Sequence, residues 1–424
     1  MRENLPTPRA AGLIADMPLD RPEIAGPSPR VRTLRDPATI RQRSGEIFAA
    51  ATRGKSAHFN VDLSKLDRAA ELTVGSIRRD YPSLEIPYHS RWRHFGVGGV
   101  DRWKRLLANL PEDKLERARV AIDLAVTSVL LDAGAGSDWK YRTKDGVFTR
   151  SEGLAVASFD MFASGAFSAS FDNPYRADAA GLRRFDGERL AKGFKVGESN
   201  KLVGLEGRAA LMRNLGVAIA KRPDIFGAQP RIGNLADLLS GEARDGKLPA
   251  ARILAVLLEG LADAWPARVV VDDVNVGDVG EHPAASEGMV PFHKLSQWLT
   301  YSLLEPFESL GLQIVDLDAL TGLPEYRNGG LFLDTGVISL RDPTAAGQAY
   351  AANSELIVEW RALTIVLLDK IAEIVREKLG LTAEEFPLAK VLQGGTWTAG
   401  RRIAAERRAG GKPPLAVESD GTIF

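Results

Sequence analysis

Three carboxylates stand where the surrounding sequence is unusual for an acid. Glu325 precedes Tyr326 and Arg327 in the run Leu323-Pro-Glu-Tyr-Arg-Asn-Gly-Gly-Leu-Phe-Leu-Asp334. Asp138 sits beside Trp139, just after two glycines that follow a long apolar stretch. Glu359 falls inside the apolar stripe of Leu356, Trp360, Leu363, Leu367, Ile371 and Ile374, by its three- and four-residue spacing from Leu356 and Leu363. A carboxylate in apolar surroundings is either buried with a partner or held for chemistry. Acids in a dry pocket beside Trp, Tyr and Arg suit a cationic transition state, as in glycosidic cleavage through an oxocarbenium-like species. The bland alternative is structural: a Glu325–Arg327 surface pair at a glycine turn, with the other acids tied to amides or arginines.

Two groups of residues offer a place for a phosphate. Arg91, Arg93 and His94 with the amides of Gly96, Gly98 and Gly99 form one; Thr396, Thr398, Arg401 and Arg402 at a helix start form the other. Each also has a plain reading, as a glycine turn packed by Trp92 and Trp103 and as a solvated basic face. No HExxH, GxSxG, Walker loop or GxGxxG before a helix occurs. His89 and His94 are five apart and the other histidines are scattered, which suits no common metal geometry. The acidic run from Asp273 through Asn275 to Asp278 faintly resembles a calcium loop, but the twelfth position is Ala284 and the pattern fails. No metal or other cofactor is expected.

Composition narrows the classes further. The chain has 424 residues, 55 basic and 55 acidic, so no broad basic footprint for nucleic acid or an anionic membrane is present. Cysteine is absent, which removes thiolate nucleophiles, disulfides and zinc–thiolate sites together. The start lacks the apolar core of a signal peptide, and no 18-residue charge-free apolar run is present; a cytoplasmic protein is expected.

The elements that must position these residues are mostly helical. Residues 1–36 hold six prolines and read as an extended arm. Helical patterns cover about 37–53, 62–79, 115–131, 151–165, 206–221, 231–239, 249–264, 291–310 and 353–379, the last stopping at Gly380. Residues 88–103 read as an aromatic and cationic loop, and 166–205 as loop-rich, anchored by Phe167, Phe171 and Phe194. Around Glu325 the expectation is a helix start at Pro324, a sharp bend at Gly329-Gly330 and a second element carrying Asp334. Val269 to Val271 make the best short strand. The fold class expected is mainly α with few short strands: an arm over 1–36 and one large helical domain over 37–424, or two lobes sharing a cleft.

Several of these segments are familiar. Arg93-His-Phe-Gly-Val-Gly-Gly-Val-Asp-Arg-Trp103, Asp132-Ala-Gly-Ala-Gly-Ser-Asp-Trp139, Arg150-Ser-Glu-Gly-Leu154, Glu325-Tyr-Arg-Asn-Gly-Gly330 and Gln393-Gly-Gly-Thr-Trp397 resemble the uracil catabolism protein four family, across nearly the whole chain. A fainter likeness is to queuosine salvage nucleosidases, helical enzymes akin to DNA glycosylases. There Gly136-Ser-Asp138-Trp139, Ser151–Gly165, Glu325-Tyr326-Arg327 and Glu359-Trp360-Arg361 are similar to the site segments, with Glu325 replacing an Asp; Gln393–Arg401 has no counterpart. The first family belongs to a route that opens the uracil ring on ribose phosphate, leaving a ribosylurea-type intermediate.

The resemblances together imply a metal-independent N-glycosidase, cleaving the urea–ribose bond of ribosylurea or its 5′-phosphate. Its substrate would be a small ribosyl or nucleotide-derived molecule, with neither nucleic acid nor membrane as partner. Glu325, Asp138 and Glu359 would be the catalytic carboxylates. Trp139, Tyr326, Arg327, Arg361, Arg93, His94, Thr396 and Arg401 would bind substrate. The alternatives are a non-catalytic nucleotide- or partner-binding protein of the pathway, and an amidohydrolase acting on a ureido carbonyl. The acids are expected to converge on one cavity, about 6.5–9.5 Å apart by analogy with inverting O-glycosidases, with a basic corner opening on it.

Overall fold

The longest helix, Glu355–Leu379, gathers the others around it because its apolar residues recur at three- and four-residue spacing over seven turns. Ile357, Val358, Ala362, Leu363, Ile365, Leu367, Leu368 and Ile371 are fully buried. Gly380 takes the left-handed conformation, φ 68°, and ends the helix. Against it pack Pro37–Thr52, Leu66–Asp80 and Tyr326–Thr335. A second group consists of Lys114–Leu130, Arg150–Ala163 and Lys294–Ser309. The computed structural model describes residues 26–266 and 268–418, and is mainly helical.

Strands are short and pair only in twos among the described residues. Phe59–Val61 pairs with Ile338–Leu340, and Val279–Glu281 with Met289–Pro291, both antiparallel. One continuous set of packed apolar side chains runs from Ile40 to Leu415. No helix of the described residues is long and apolar enough to cross a membrane.

Four local expectations are corrected. Of the proline-rich arm, residues 1–25 lie outside the described residues; Pro29–Arg35 is a helix with proline at its first position and Ser28 as its cap. Its Val31 and Leu34 pack on Val271, Val276, Val279 and Met289 in a small separate cluster. Phe167 and Phe194 are fully buried, but Phe171 is fully exposed in the connection between Arg150–Ala163 and Ala179–Arg183. Gly329-Gly330 makes no bend: a single helix runs from Tyr326 to Thr335, and Pro324 lies outside it. A Cβ on Gly329 would come within 2.8 Å of Thr364 Oγ1 and the Trp360 ring, so the glycine serves a close helix contact rather than a turn. Asp334 ends in that helix, gripped by both Arg408 Nη atoms at 2.7 and 2.5 Å.

Candidate active site

Glu325 is where the sequence is most specific, and its local role follows from helix-end chemistry. The first amides of a helix lack intrahelical acceptors. Glu325 stands at the cap position of Tyr326–Thr335 with extended backbone; one carboxylate oxygen accepts from Asn328 N–H at 2.6 Å and the other from Arg327 N–H at 2.9 Å. It is only 9% exposed. Burial raises its pKa, against the pull of those two amides and the charges of Lys294 and Arg327. Asn328 fastens the same helix elsewhere, accepting from the buried Thr396 hydroxyl at 2.9 Å.

Lys294, opposite in charge, begins the helix Lys294–Ser309. Burial lowers its pKa, while Glu325, Asp132 and Asp278 act to raise it. Its backbone N–H donates to Asp278 Oδ2 at 3.0 Å. Asp278 is clasped by Arg361, Nη1 to Oδ1 at 2.8 Å and Nη2 to Oδ2 at 2.7 Å, and the guanidinium lies 4.0 Å from the Phe292 ring centroid. Burial would raise the Asp278 pKa; Arg361, with the Lys294 N–H and His293, outweighs it and holds the group at about 2. A cleft of about 440 Å³ is lined by Arg268, Gly277, Asp278, Asn353 and Arg361. A smaller cavity shares Arg268, Gly277 and Asp278 with it and is also lined by Lys294.

The third part is a buried network around Arg91. This side chain is fully buried, donating from Nε to Ser128 Oγ at 2.7 Å and from Nη1 to Asp132 Oδ1 at 2.5 Å. Asp132 also accepts from Ser151 Oγ at 3.0 Å, and Ser128 bonds Ser158 at 2.7 Å. Burial raises the Asp132 pKa against Arg91. Two indoles and two imidazoles border this network. His94 and His89 have ring centroids 6.1 and 6.4 Å from that of Trp298, and His89 is 5.8 Å from Trp397. Arg401 lies 5.5 Å from the Trp397 ring and 3.4 Å from Glu152. Burial drives the His94 pKa well below the ordinary imidazole value, with Arg91, His89, Arg401 and Arg93 adding to the effect.

The structure brings some expected residues together and leaves others apart. Glu325, Tyr326, Arg327, Thr396 and Arg401 lie on two helices and a turn packed together, Tyr326–Thr335 against Trp397–Arg407. Tyr326 lies under the Arg327 guanidinium at 4.7 Å, and Arg327 donates to the Gly411 carbonyl at 3.0 Å. Arg361 reaches Asp278. Glu359 points elsewhere: it is fully buried, 3.7 Å from His282 Nε2. Arg93 is paired with Glu305 on a separate cleft bordered by Trp92, Trp103 and Gln393. Asp138 is exposed and accepts from the Ser137 hydroxyl, so it does not join the carboxylates inside. Trp139 is fully buried, with its indole N–H on the Phe194 carbonyl at 3.0 Å and its ring against Tyr141 and Phe194. It belongs to the core rather than to a ligand surface.

Sequence reasoning passed over Lys294, Trp298 and Asp132. Asp132 opens the same glycine-rich segment that holds Asp138, and its partner Arg91 was visible only as a phosphate ligand. Among the described residues no group of three or more His, Asp or Glu side chains is placed to hold a metal ion.

Residues 33–424 match the family described as protein of unknown function DUF1688. Protein urg3 of Schizosaccharomyces pombe is 41% identical over 394 residues, covering 91% of this chain and 96% of its own. Uracil catabolism protein 4 of Lachancea kluyveri is 38% identical over 429 residues, covering 91% and 97%. The segments that carry Glu325, Arg91 and Asp132 lie inside the matched region, and the chain belongs to the DUF1688 family, that of uracil catabolism protein 4.

Proposed function

We propose that the protein is a hydrolase of uracil catabolism that cleaves the bond between urea and ribose in a ribosylurea compound. The name of one relative, uracil catabolism protein 4, supports the pathway. The electrostatic coupling of buried Glu325 and Lys294 carries the reaction class, because burial raises the pKa of the acid and lowers that of the amine, which makes the carboxylate a better base and the ammonium a better acid. Glu325 is held by two backbone amides, so its position is fixed before substrate arrives. In this reading water adds to C1′ as the C1′–N bond breaks. Glu325 stabilises the cationic sugar and takes the water's proton, and Lys294 supplies one to the departing urea nitrogen. The second buried carboxylate is Asp132 rather than the exposed Asp138. A scaffold related to the queuosine salvage nucleosidases is part of the same proposal.

Incubating the full chain with ribosylurea and with its 5′-phosphate, with and without chelator, and measuring urea tests it. Urea release that survives chelator supports the reading. Ammonia in place of urea points to an amidohydrolase, and binding without turnover to a non-catalytic partner; either result ends it.

A further inference from the structure

His89 and His94 lie against the same indole, and their hydrogen bonds leave them in opposite tautomers. Arginine can only donate, so the contact of 3.4 Å between Arg91 Nη1 and His94 Nδ1 makes that nitrogen the acceptor. The neutral His94 ring then carries its proton on Nε2. At His89 the partner is reversed: Nδ1 faces the Gln393 side-chain oxygen at 2.8 Å, so Nδ1 donates and Nε2 keeps a lone pair. Gln393 turns its amide nitrogen toward the Tyr81 hydroxyl at 3.4 Å, consistent with that orientation. Neither Nε2 has a hydrogen-bond partner among the described residues. Burial keeps both rings uncharged, His89 at about 4.

Two further donors at this place have no partner among the described residues. They are Trp298 Nε1 and Arg91 Nη2, both buried, with the guanidinium carbon 5.6 Å from the indole centroid. Unsatisfied buried donors cost about 1–3 kcal/mol each, and such groups persist where a ligand satisfies them. The charges are already balanced, Arg91 by Asp132 and Arg401 by Glu152. What remains at the two imidazoles is a set of donors and one acceptor; the further cation whose charge reaches them, Lys294, acts with Glu325, Asp132 and Asp278.

We infer that this site reads a neutral planar group with a carbonyl and an adjacent N–H, as in a ureido group or the edge of a pyrimidine ring. The carbonyl accepts from His94 Nε2–H and from the indole N–H of Trp298, and the ligand N–H donates to His89 Nε2. This deepens the proposed function, on which it rests for the identity of the substrate but not for the recognition itself.

The test uses the full chain with 15N-labelled histidine, of which there are five, and reads no turnover. At pH 7 the expected spectrum shows His89 protonated on Nδ1 and His94 on Nε2. N-methylurea or uracil should shift Nε2 of both rings, and inorganic phosphate should not. A response to methylurea alone marks an open-chain ureido ligand; one to uracil marks the ring edge. His94→Phe and His89→Phe should each weaken binding of the responding compound about tenfold. His94→Gln, which restores an N–H donor, should recover most of that loss even if the phenylalanine variants fold poorly. Identical tautomers, charged rings at pH 7, or shifts caused by phosphate alone overturn the inference. If the spectra are as stated but no urea is released from ribosylurea, the glycosidase reading fails and the recognition site stands.

Discussion

Arg91 and Asp132 meet 2.5 Å apart inside the protein, with side chains 0% and 6% exposed. Removing one member of such a pair leaves an uncompensated buried charge. Asp132→Ala should therefore destabilise the fold by about 3–5 kcal/mol. Adding Arg91→Met should recover part of that loss, and a double-mutant cycle by denaturant unfolding measures it. Additive losses would mean the two charges act separately.

Glu325→Gln separates chemistry from structure. Glutamine still offers an oxygen to one of the two amides, so the helix start should survive, with a change in melting temperature of a few degrees. Turnover of the true substrate should fall roughly 100- to 1,000-fold, as for loss of a placed charge stabiliser. Near-normal turnover would remove Glu325 from the reaction.

Asp138→Asn is the contrasting control. Its carboxylate is exposed and bonded only to Ser137 Oγ among the described residues. Stability should change by no more than about 0.5 kcal/mol, and the rate of urea release should stay within twofold. A large rate loss would return this acid to the site.

This contrast shows what the sequence could and could not reveal. Glu325 was legible because its neighbours Pro324, Tyr326 and Arg327 mark a helix start beside an acid. Glu359 was legible as an acid on an apolar helical face, and Arg361 only through the likeness of Glu359-Trp360-Arg361 to the nucleosidase segment. The choice between Asp132 and Asp138 was not, since it depends on Arg91, supplied from 41 residues earlier in sequence. Lys294 carries no local signal at all: its meaning comes from Glu325 and Asp132, both remote in sequence. Gly329-Gly330 was misread as a bend because a glycine that makes room for Trp360 looks the same in sequence as one that turns the chain.

The pH dependence has two parts. Activity should follow a bell, with its acid limb above the ordinary carboxylate range as Glu325 protonates and its alkaline limb below the ordinary lysine value as Lys294 loses its proton. Stability should respond to His89, whose pKa of about 4 when folded lies below the value near 6.5 expected when unfolded. Between those values the unfolded chain binds more protons, so stability is full above pH 6.5 and falls as the pH drops toward 4. Denaturant melts over that window should lose part of their slope in His89→Asn.

Gly400 stands so close to the helix Tyr326–Thr335 that an added Cβ would lie 2.1 Å from the Arg327 carbonyl oxygen. Gly400→Ala should cost about 1–3 kcal/mol by overpacking, read as an earlier urea midpoint. It should also lower activity more than an equally destabilising substitution far from Glu325, because the displaced helix is the one Glu325 caps. Equal activity in the two variants would show that the cap tolerates the shift.

The turn at Leu392–Thr396 has the wider, π-type helical spacing, and Trp397–Arg407 continues directly from it. Such a turn amounts to one residue more than a regular helix needs. It acts as a phase shift of about 100°, setting the direction in which every later side chain of that helix leaves the axis. Trp397 meets His89, and Arg401 meets Glu152, in that shifted phase. A chain lacking one residue here could form a more regular helix, with every downstream hydrogen bond in place, and still aim its indole and guanidinium at the wrong side of the protein.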